Sequence, residues 1–362
     1  MHPSLPPGFF IGSLSPCSLT IYYSAGTWST SLRNRCRNTL ESSGVLIDIV
    51  IQIIAPIFGL ILLGYVAGWL KWISTKGIDG LAEFVFNFAI PVMLFTRISV
   101  VTLPKTVPWD FLGIFYGITL SLFAVTLTWS RMQQVSSSAS CAIIAMGGTY
   151  SNVILIGIPL VLAALPDAAI VPLFIIVSTH AAVLFFVTTL FAERQSGSLA
   201  DLSLKTMTVL FKNPIFSAVI LGITANLLGF SLPDPIAVPV KTMAEYLSAA
   251  ALPCAVFSMG ASISRYPIRG SLPIIISMLA IKNLVHPLLV LAVALLIGWD
   301  EDRRIWLQVA LLLATCPTGI NVYLFAQRYS VQVPATATAV VLSTVLSVFT
   351  LSGVLLWIHS TV

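Results

Sequence analysis

Two polar interruptions in an otherwise apolar chain hold the residue types best suited to gripping a ligand. In the first, GGTYSNVILIGIP, the residues Gly147, Gly148, Thr149, Ser151 and Asn152 bunch together, and Gly157-Ile158-Pro159 follows. In the second, TCPTGIN, Thr315-Cys316-Pro317 is followed by Thr318-Gly319-Ile320-Asn321. Ser, Thr and Asn cap helix starts, and Pro is favoured at the first helical position. Each interruption therefore predicts two half-helices meeting within one span. A half-helix N-terminus offers unpaired N–H donors and about half a positive charge, which suits a carboxylate or another small anion. Asn152 and Asn321 beside the breaks, with Ser151, Thr149, Pro317 and Thr318, are the substrate-binding candidates. Gly148, Gly157, Pro159 and Gly319 are the residues that break or bend the helices. Gly and Pro also kink or pack membrane helices with no further role; it is the match between two spans that favours a site.

Ionisable groups inside apolar spans are the next candidates, because each costs at least about 2.5–3.5 kcal/mol at a helix centre. Lys282 and His286, in SMLAIKNLVHPLL, lie one turn apart on one helix face. A lysine there either points at the crossing helices and attracts a carboxylate, or pairs with a helix C-terminus; about ten residues into the span, it is too deep to snorkel easily to an interface. His180 reads as an interior histidine bonded to Ser or Thr, and Glu83 and Glu245 read as carboxylates at the starts of two spans. Asn87 stands one turn before Pro91 and is a further substrate-contact candidate; Pro91 and Pro253 occupy equivalent places in two spans as helix-breaking or structural residues.

The elements that must position these residues follow from composition. Of 362 residues, 57% are hydrophobic and 9% charged, with mean hydropathy +0.99. A soluble domain carries about 25% charged residues, and apolar runs recur here at the roughly 20-residue length of a membrane span. The class is an all-α integral membrane protein, with the lipid bilayer as its partner and no nucleic acid. The five cysteines form no C-x-x-C pair and no metal-ligand spacing. No metal and no cofactor are expected. Missing too are a D-x-x-D cluster, a nucleophilic Ser in a G-x-S-x-G context and a P-loop. Their absence argues against a prenyl-transferring or proteolytic membrane enzyme and against direct use of ATP.

Residues 1–44 are rich in Ser, Pro and Gly and read as a disordered or mis-started extension. Ten candidate spans follow, near 47–70, 81–99, 109–129, 140–163, 168–191, 211–230, 237–262, 272–298, 304–327 and 334–358. They divide into a first five-helix repeat over 45–192, an inter-repeat loop over 193–210 and a second repeat over 211–362. Pro56 and Pro214, each in Pro-Ile-Phe, lie 158 positions apart (214 − 56), and Pro91 and Pro253 lie 162 apart (253 − 91). Ser151-Asn152 against Pro317-Thr318 gives 166 (317 − 151). Five helices per repeat is odd, so the second copy enters the membrane from the opposite face. That is an inverted repeat, with discontinuous helices four and nine crossing at the centre, an arrangement typical of secondary transporters. Nine basic residues (Lys71, Lys76, Arg131, Arg194, Lys205, Lys212, Arg265, Arg269, Arg328) fall on one side and five (Arg97, Lys105, Lys241, Arg303, Arg304) on the other. The first side is predicted cytoplasmic, with both termini outside the inner membrane.

The stretches GTYSNVILIGIPL, SAAALPCAVFSMGASI and CPTGINVYLFAQRYSV, with VVLSTVLSV beyond, resemble the fourth, seventh and ninth-to-tenth spans of the auxin efflux carrier family, over about 47–358. That family includes plant auxin carriers and bacterial malonate-type carriers. The resemblance implies a carrier that exports or imports a small organic acid by alternating access. Spans one, two, six and seven would form a scaffold, the other six a moving transport domain, and two copies a homodimer. Asn152 and Pro159 match the family's Asn and Gly-x-Pro, and Pro317, Gly319 and Tyr323 match its ninth-span pattern. Bacterial members usually read Asn-Thr-Gly where this chain has Asn152-Val153-Ile154, and plant members place Pro at Ser151, so the site here is more apolar and stiffer. The alternatives are a sodium-coupled organic-anion symporter of related architecture and, in another class, a passive channel or receptor-like membrane protein.

Overall fold

A computed structural model describes residues 50–104, 107–135, 137–193, 208, 213–266, 268–298 and 301–360. The extension 1–44 and most of the loop 193–210 lie outside the described residues, and so do Lys105, Arg194, Lys205 and Lys212. Among the described residues the chain is helical, with no strand beyond one isolated bridge between Ser151 and Thr318.

Among the described residues seven helices are long and apolar enough to cross a membrane: α1 (Ile51–Trp69), α2 (Thr75–Val100), α3 (Asp110–Met132), α6 (Asp167–Ala192), α8 (Asp234–Ile263), α9 (Leu272–Ile297) and α12 (Val333–Ser360). Shorter helices stand between them: α4 (Ser138–Thr149), α5 (Val153–Ala164), α7 (Pro214–Leu227), α10 (Glu301–Thr315) and α11 (Asn321–Arg328). Side-chain caps begin several of these. Ser74 Oγ accepts the Gly77 N–H, Ser137 Oγ the Ser140 N–H, and Asn213 Oδ1 the Ile215 N–H. Each satisfies one of the donors a helix start leaves unpaired. The second and seventh spans begin earlier than their apolar runs indicate, at Thr75 and Asp234. Glu83 and Glu245 therefore sit well inside helices, exposed and away from any N-terminus, and neither is a cap.

Prolines write a regular pattern into the spans. π-helical turns cover Val50–Ile54, Val85–Ala89, Val153–Gly157 and Ile281–Val285. Each ends two residues before a proline: Pro56, Pro91, Pro159 and Pro287. Proline donates no N–H and its ring clashes with the carbonyl four residues back. Widening the preceding turn relieves both problems without ending the helix. The helices run on through Pro91 and Pro159 rather than ending there. Pro253 lies inside α8, which continues through it.

The helices pack as two sets. In one, α1 lies along α8 and α7 along α2, with α8 touching α2 as well. In the other, α3, α4, α6, α9, α10, α11 and α12 pack on one another. The first set is held by close backbone approach, the usual way to join helices where lipid removes the hydrophobic drive. An added Cβ at Gly64 would collide with Phe257 O, and one at Gly260 with Ile61 O. The second contact repeats the first in kind: a Cβ at Gly222 would lie 3.3 Å from Phe95 O and 3.0 Å from Ile98 Cβ. Asn226 Nδ2 then ties α7 to α2 by donating to Ile98 O and Val101 O, both at 2.8 Å. Gly260→Val is expected to destabilise the protein by about 1–3 kcal/mol through overpacking of this seam. Gly353→Ala, inside α12 where nothing lies within 4 Å of the new methyl, should instead stabilise by about 0.5–1 kcal/mol, because glycine costs more backbone entropy than alanine in a helix interior. Thermal unfolding of both variants in detergent checks the pair.

Candidate functional site

The two interruptions meet. Between α4 and α5 the chain leaves the helix through Tyr150, Ser151 and Asn152, extended at Tyr150; between α10 and α11 it leaves the helix through Pro317 and Thr318. The stretches lie antiparallel, with Ser151 opposite Thr318. Asn152 N–H donates to Pro317 O at 2.8 Å, and Gly319 N–H donates to Tyr150 O at 3.0 Å. Backbone groups freed by unwinding one helix are thus satisfied by the other.

Side chains complete the pairing. Thr318 Oγ1 donates to Gly147 O at 3.0 Å, filling a carbonyl that the first break frees. Ser151 N–H, which a continuing helix would aim at Gly147 O, donates instead to His180 Nε2 at 3.0 Å. Thr318 N–H donates to Ser343 Oγ at 2.9 Å, and Ser343 Oγ donates to Asn283 Oδ1 at 2.7 Å. Asn152 caps α5, its Oδ1 accepting the Leu155 N–H at 3.1 Å. Its Nδ2 reaches Met259 Sδ of α8 at 3.2 Å, a weak acceptor. Asn321 is the first residue of α11 and donates from Nδ2 to Tyr150 OH at 2.8 Å. The ring of Tyr150 packs against His180 and stacks on Phe185. On its other side Gly319 comes so close that an added Cβ would lie 2.6 Å from ring carbons.

A narrow, partly open cleft lies here, lined by Phe86 of α2, by Tyr150 to Leu155 and by Gly319 to Ile320 and Asn321. It lies where α2 faces the crossing, so both helix sets supply walls. The Ser151 hydroxyl in this wall is buried and has no hydrogen-bond partner among the described residues; the same holds for His180 Nδ1. Helix α5 begins at the cleft with Asn152 as its cap, and α11 begins at it with Asn321. Two N-terminal dipole ends, a free hydroxyl and two carboxamides can together hold an anion. The remaining wall, from Phe86, Val153, Ile154, Leu155 and Ile320, is apolar.

Ser151, Asn152 and Asn321 are brought together at the cleft, and Pro317 and Thr318 at the pairing beside it. Pro317 does not open a helix as its type predicts; it sits in the non-helical stretch, and α11 starts four residues later. Thr149 is fully buried and bonds its own helix at Ala145 O, 2.8 Å away. Gly148 lies within α4 facing Ile281, and Gly157 ends a π turn against Leu313. Asn87 is exposed, and its neighbour Phe86 takes the place in the cleft wall. Lys282 is wholly buried and away from the cleft; Nζ lies 2.5 Å from Ala314 O and 3.2 Å from His286 Nδ1. Of its two open readings, the helix C-terminus is the one realised. Sequence reasoning passed over Tyr150 and Phe86. For Tyr150 the signal was present: an aromatic set among the break's own Thr, Ser and Asn.

Gly319→Ala should cost about 1–3 kcal/mol by forcing the new methyl into the Tyr150 ring. In a Tyr150→Ala background the same substitution should cost almost nothing, because the ring is gone. A double-mutant cycle of thermal unfolding reads the difference.

Comparison with known proteins agrees with this geometry. A family model described as "Membrane transport protein" matches residues 49–355. A protein of Rhizobium meliloti (strain 1021) described as "Putative malonate transporter" is 29% identical over 311 residues, 85% of this chain and 95% of its own length. An "Uncharacterized transporter" of Methanothermobacter thermautotrophicus is 23% identical over 301 residues, 83% of this chain and 95% of its own. The mouse "Lysosomal cholesterol signaling protein" is 24% identical over 309 residues, 80% of this chain but 35% of the mouse protein. With the family model covering most of the chain and the two helix breaks paired at one cleft, the chain belongs to the membrane transport protein family of auxin efflux carriers.

Proposed function

We propose that this chain is a secondary carrier that moves a small organic anion, a carboxylate, across the cytoplasmic membrane by alternating access. The observation that carries the reading is the antiparallel pairing of the two helix breaks, which sets two helix N-termini and the unpartnered Ser151 hydroxyl around one cleft. In this reading α4–α5 and α10–α11 are each one broken span, and with α7 the chain crosses ten times in two inverted five-helix repeats. The twin seams support it. Gly64 against Phe257 and Gly222 against Phe95 are the same contact made twice, with partners offset by 158 (222 − 64) and 162 (257 − 95). Those are also the spacings of the paired prolines.

Helices α1, α2, α7 and α8 are the scaffold, and the remaining helices move against it. Asn152 sits on that boundary through its contact with Met259, where a change of packing reaches the cleft directly. The name of the Rhizobium relative suggests a short dicarboxylate. The wall of Phe86, Val153, Ile154 and Ile320 instead favours a carboxylate carrying an apolar body.

A thermal-shift screen of the purified chain against mono-, di- and indole carboxylates should find at least one anion that raises the unfolding temperature; stabilisation by neutral solutes alone would sink the proposal. In proteoliposomes, Asn152→Ala should remove saturable counterflow of that anion while the protein stays folded, since loss of a helix cap costs only about 0.5–2 kcal/mol. Retained, non-saturating flux would mark a channel.

A further inference from the structure

The second break orphans the carbonyls at the end of α10. In a continuing helix Leu313, Ala314 and Thr315 would receive the N–H groups of residues 317, 318 and 319. Pro317 has none, Thr318 N–H goes to Ser343 Oγ, and Gly319 N–H goes to Tyr150 O. Lys282 enters this gap from the π turn before Pro287, its Nζ donating to Ala314 O at 2.5 Å. His286 Nδ1 lies 3.2 Å from Nζ, and an ammonium, which has no lone pair, can only donate to it. That leaves the proton of a neutral imidazole on Nε2, which donates to Thr119 Oγ1 at 3.0 Å. The Thr119 hydroxyl in turn donates to Phe115 O at 2.6 Å. With Lys282 charged, every bond in this chain runs outward from the lysine, and the side chains of Lys282, His286 and Thr119 are all fully buried.

The end of α4 is finished differently. There Gly147 O accepts from the neutral hydroxyl of Thr318. Each helix C-terminus carries about half a negative charge, so the two breaks are alike in backbone and unlike in charge. Among the described residues no Asp or Glu forms an ion pair with Lys282. The partner of its charge is the helix end itself. Unwound carbonyls and half-helix C-termini are also where membrane carriers hold coupling cations.

We infer that the Lys282 ammonium is a tethered counter-cation at the end of α10, standing where a free coupling cation would bind, so that the carrier takes its anion without co-binding sodium. Lys282 acts through the crossing and does not reach the cleft, which makes it a positioning residue. The consequence for coupling rests on the organic-anion reading; the occupation of the helix end by a fixed charge does not.

The test uses the purified full chain in detergent, unfolded by heat in choline chloride and in sodium chloride. The wild type should unfold at the same temperature in both. Lys282→Ala, which opens the space the ammonium filled, should unfold lower in choline by roughly 5 °C or more. Sodium or n-propylammonium should restore at least half of that loss, and n-propanol should restore none. Lys282→Met, which fills the space without charge, should unfold low in every salt. Wild-type behaviour of Lys282→Met would overturn the inference, as would failure of both cations to rescue Lys282→Ala. So would sodium stimulation of wild-type carboxylate counterflow in proteoliposomes, an arm that needs no variant to fold. If no carboxylate is carried while the rescue pattern holds, the organic-anion reading fails and the tethered charge stands.

Discussion

Unwinding a helix in a membrane leaves backbone groups with no water to turn to, at a cost of several kcal/mol for each one unpaired. In this protein that cost is met by exchange. The stretch 150–152 and the stretch 317–319 give each other the two hydrogen bonds that the interrupted helices cannot. Neither break is stable by itself, so their meeting is a condition of the fold. Ser343, His180 and Lys282, each from a different helix, and the Thr318 hydroxyl of the second break itself then take up the groups the exchange leaves over. The crossing is therefore the point at which α4, α6, α9, α10 and α12 are all tied together.

Around that point the chain combines two kinds of backbone economy. Where helices must touch closely, as along α1 and α8, glycine removes the side chain and carbonyls meet the neighbouring helix directly. Where a helix must keep running past a proline, a π turn absorbs the missing donor and changes which residues face inward. The second device has consequences for chemistry. It sends Lys282 to the end of α10 while the neighbouring Asn283 bonds Ser343 of α12, and it puts Phe86 rather than Asn87 in the cleft wall. The lining of the cleft is set in part by where prolines oblige helices to widen.

Much of this was legible in the residues. The apolar runs announced membrane helices, the bunched Gly, Ser, Asn and Pro announced the interruptions, and Asn152 was identifiable as a cap from its place before an apolar segment. The misplacements have two causes. Glu83 and Glu245 read as helix starts from hydropathy, but the helices begin at Thr75 and Asp234, ahead of the apolar stretch. Pro317 reads as a helix start because its missing donor is tolerated there; the same property also suits a non-helical stretch whose neighbour donates to its carbonyl.

Sequence alone thus determined what each segment is: apolar length makes a span, and a polar, glycine-bearing interruption makes a break, because both follow from local composition and solvation. Only the tertiary structure decided what each break is for. Whether Lys282 would face a substrate or a helix end, and whether Tyr150 or Thr149 would border the cleft, depends on atoms more than a hundred positions away or on the rotation that a single π turn imposes. Such partners leave no trace in local pattern, since the hydrogen bonds that choose between them form only when two distant interruptions are brought side by side.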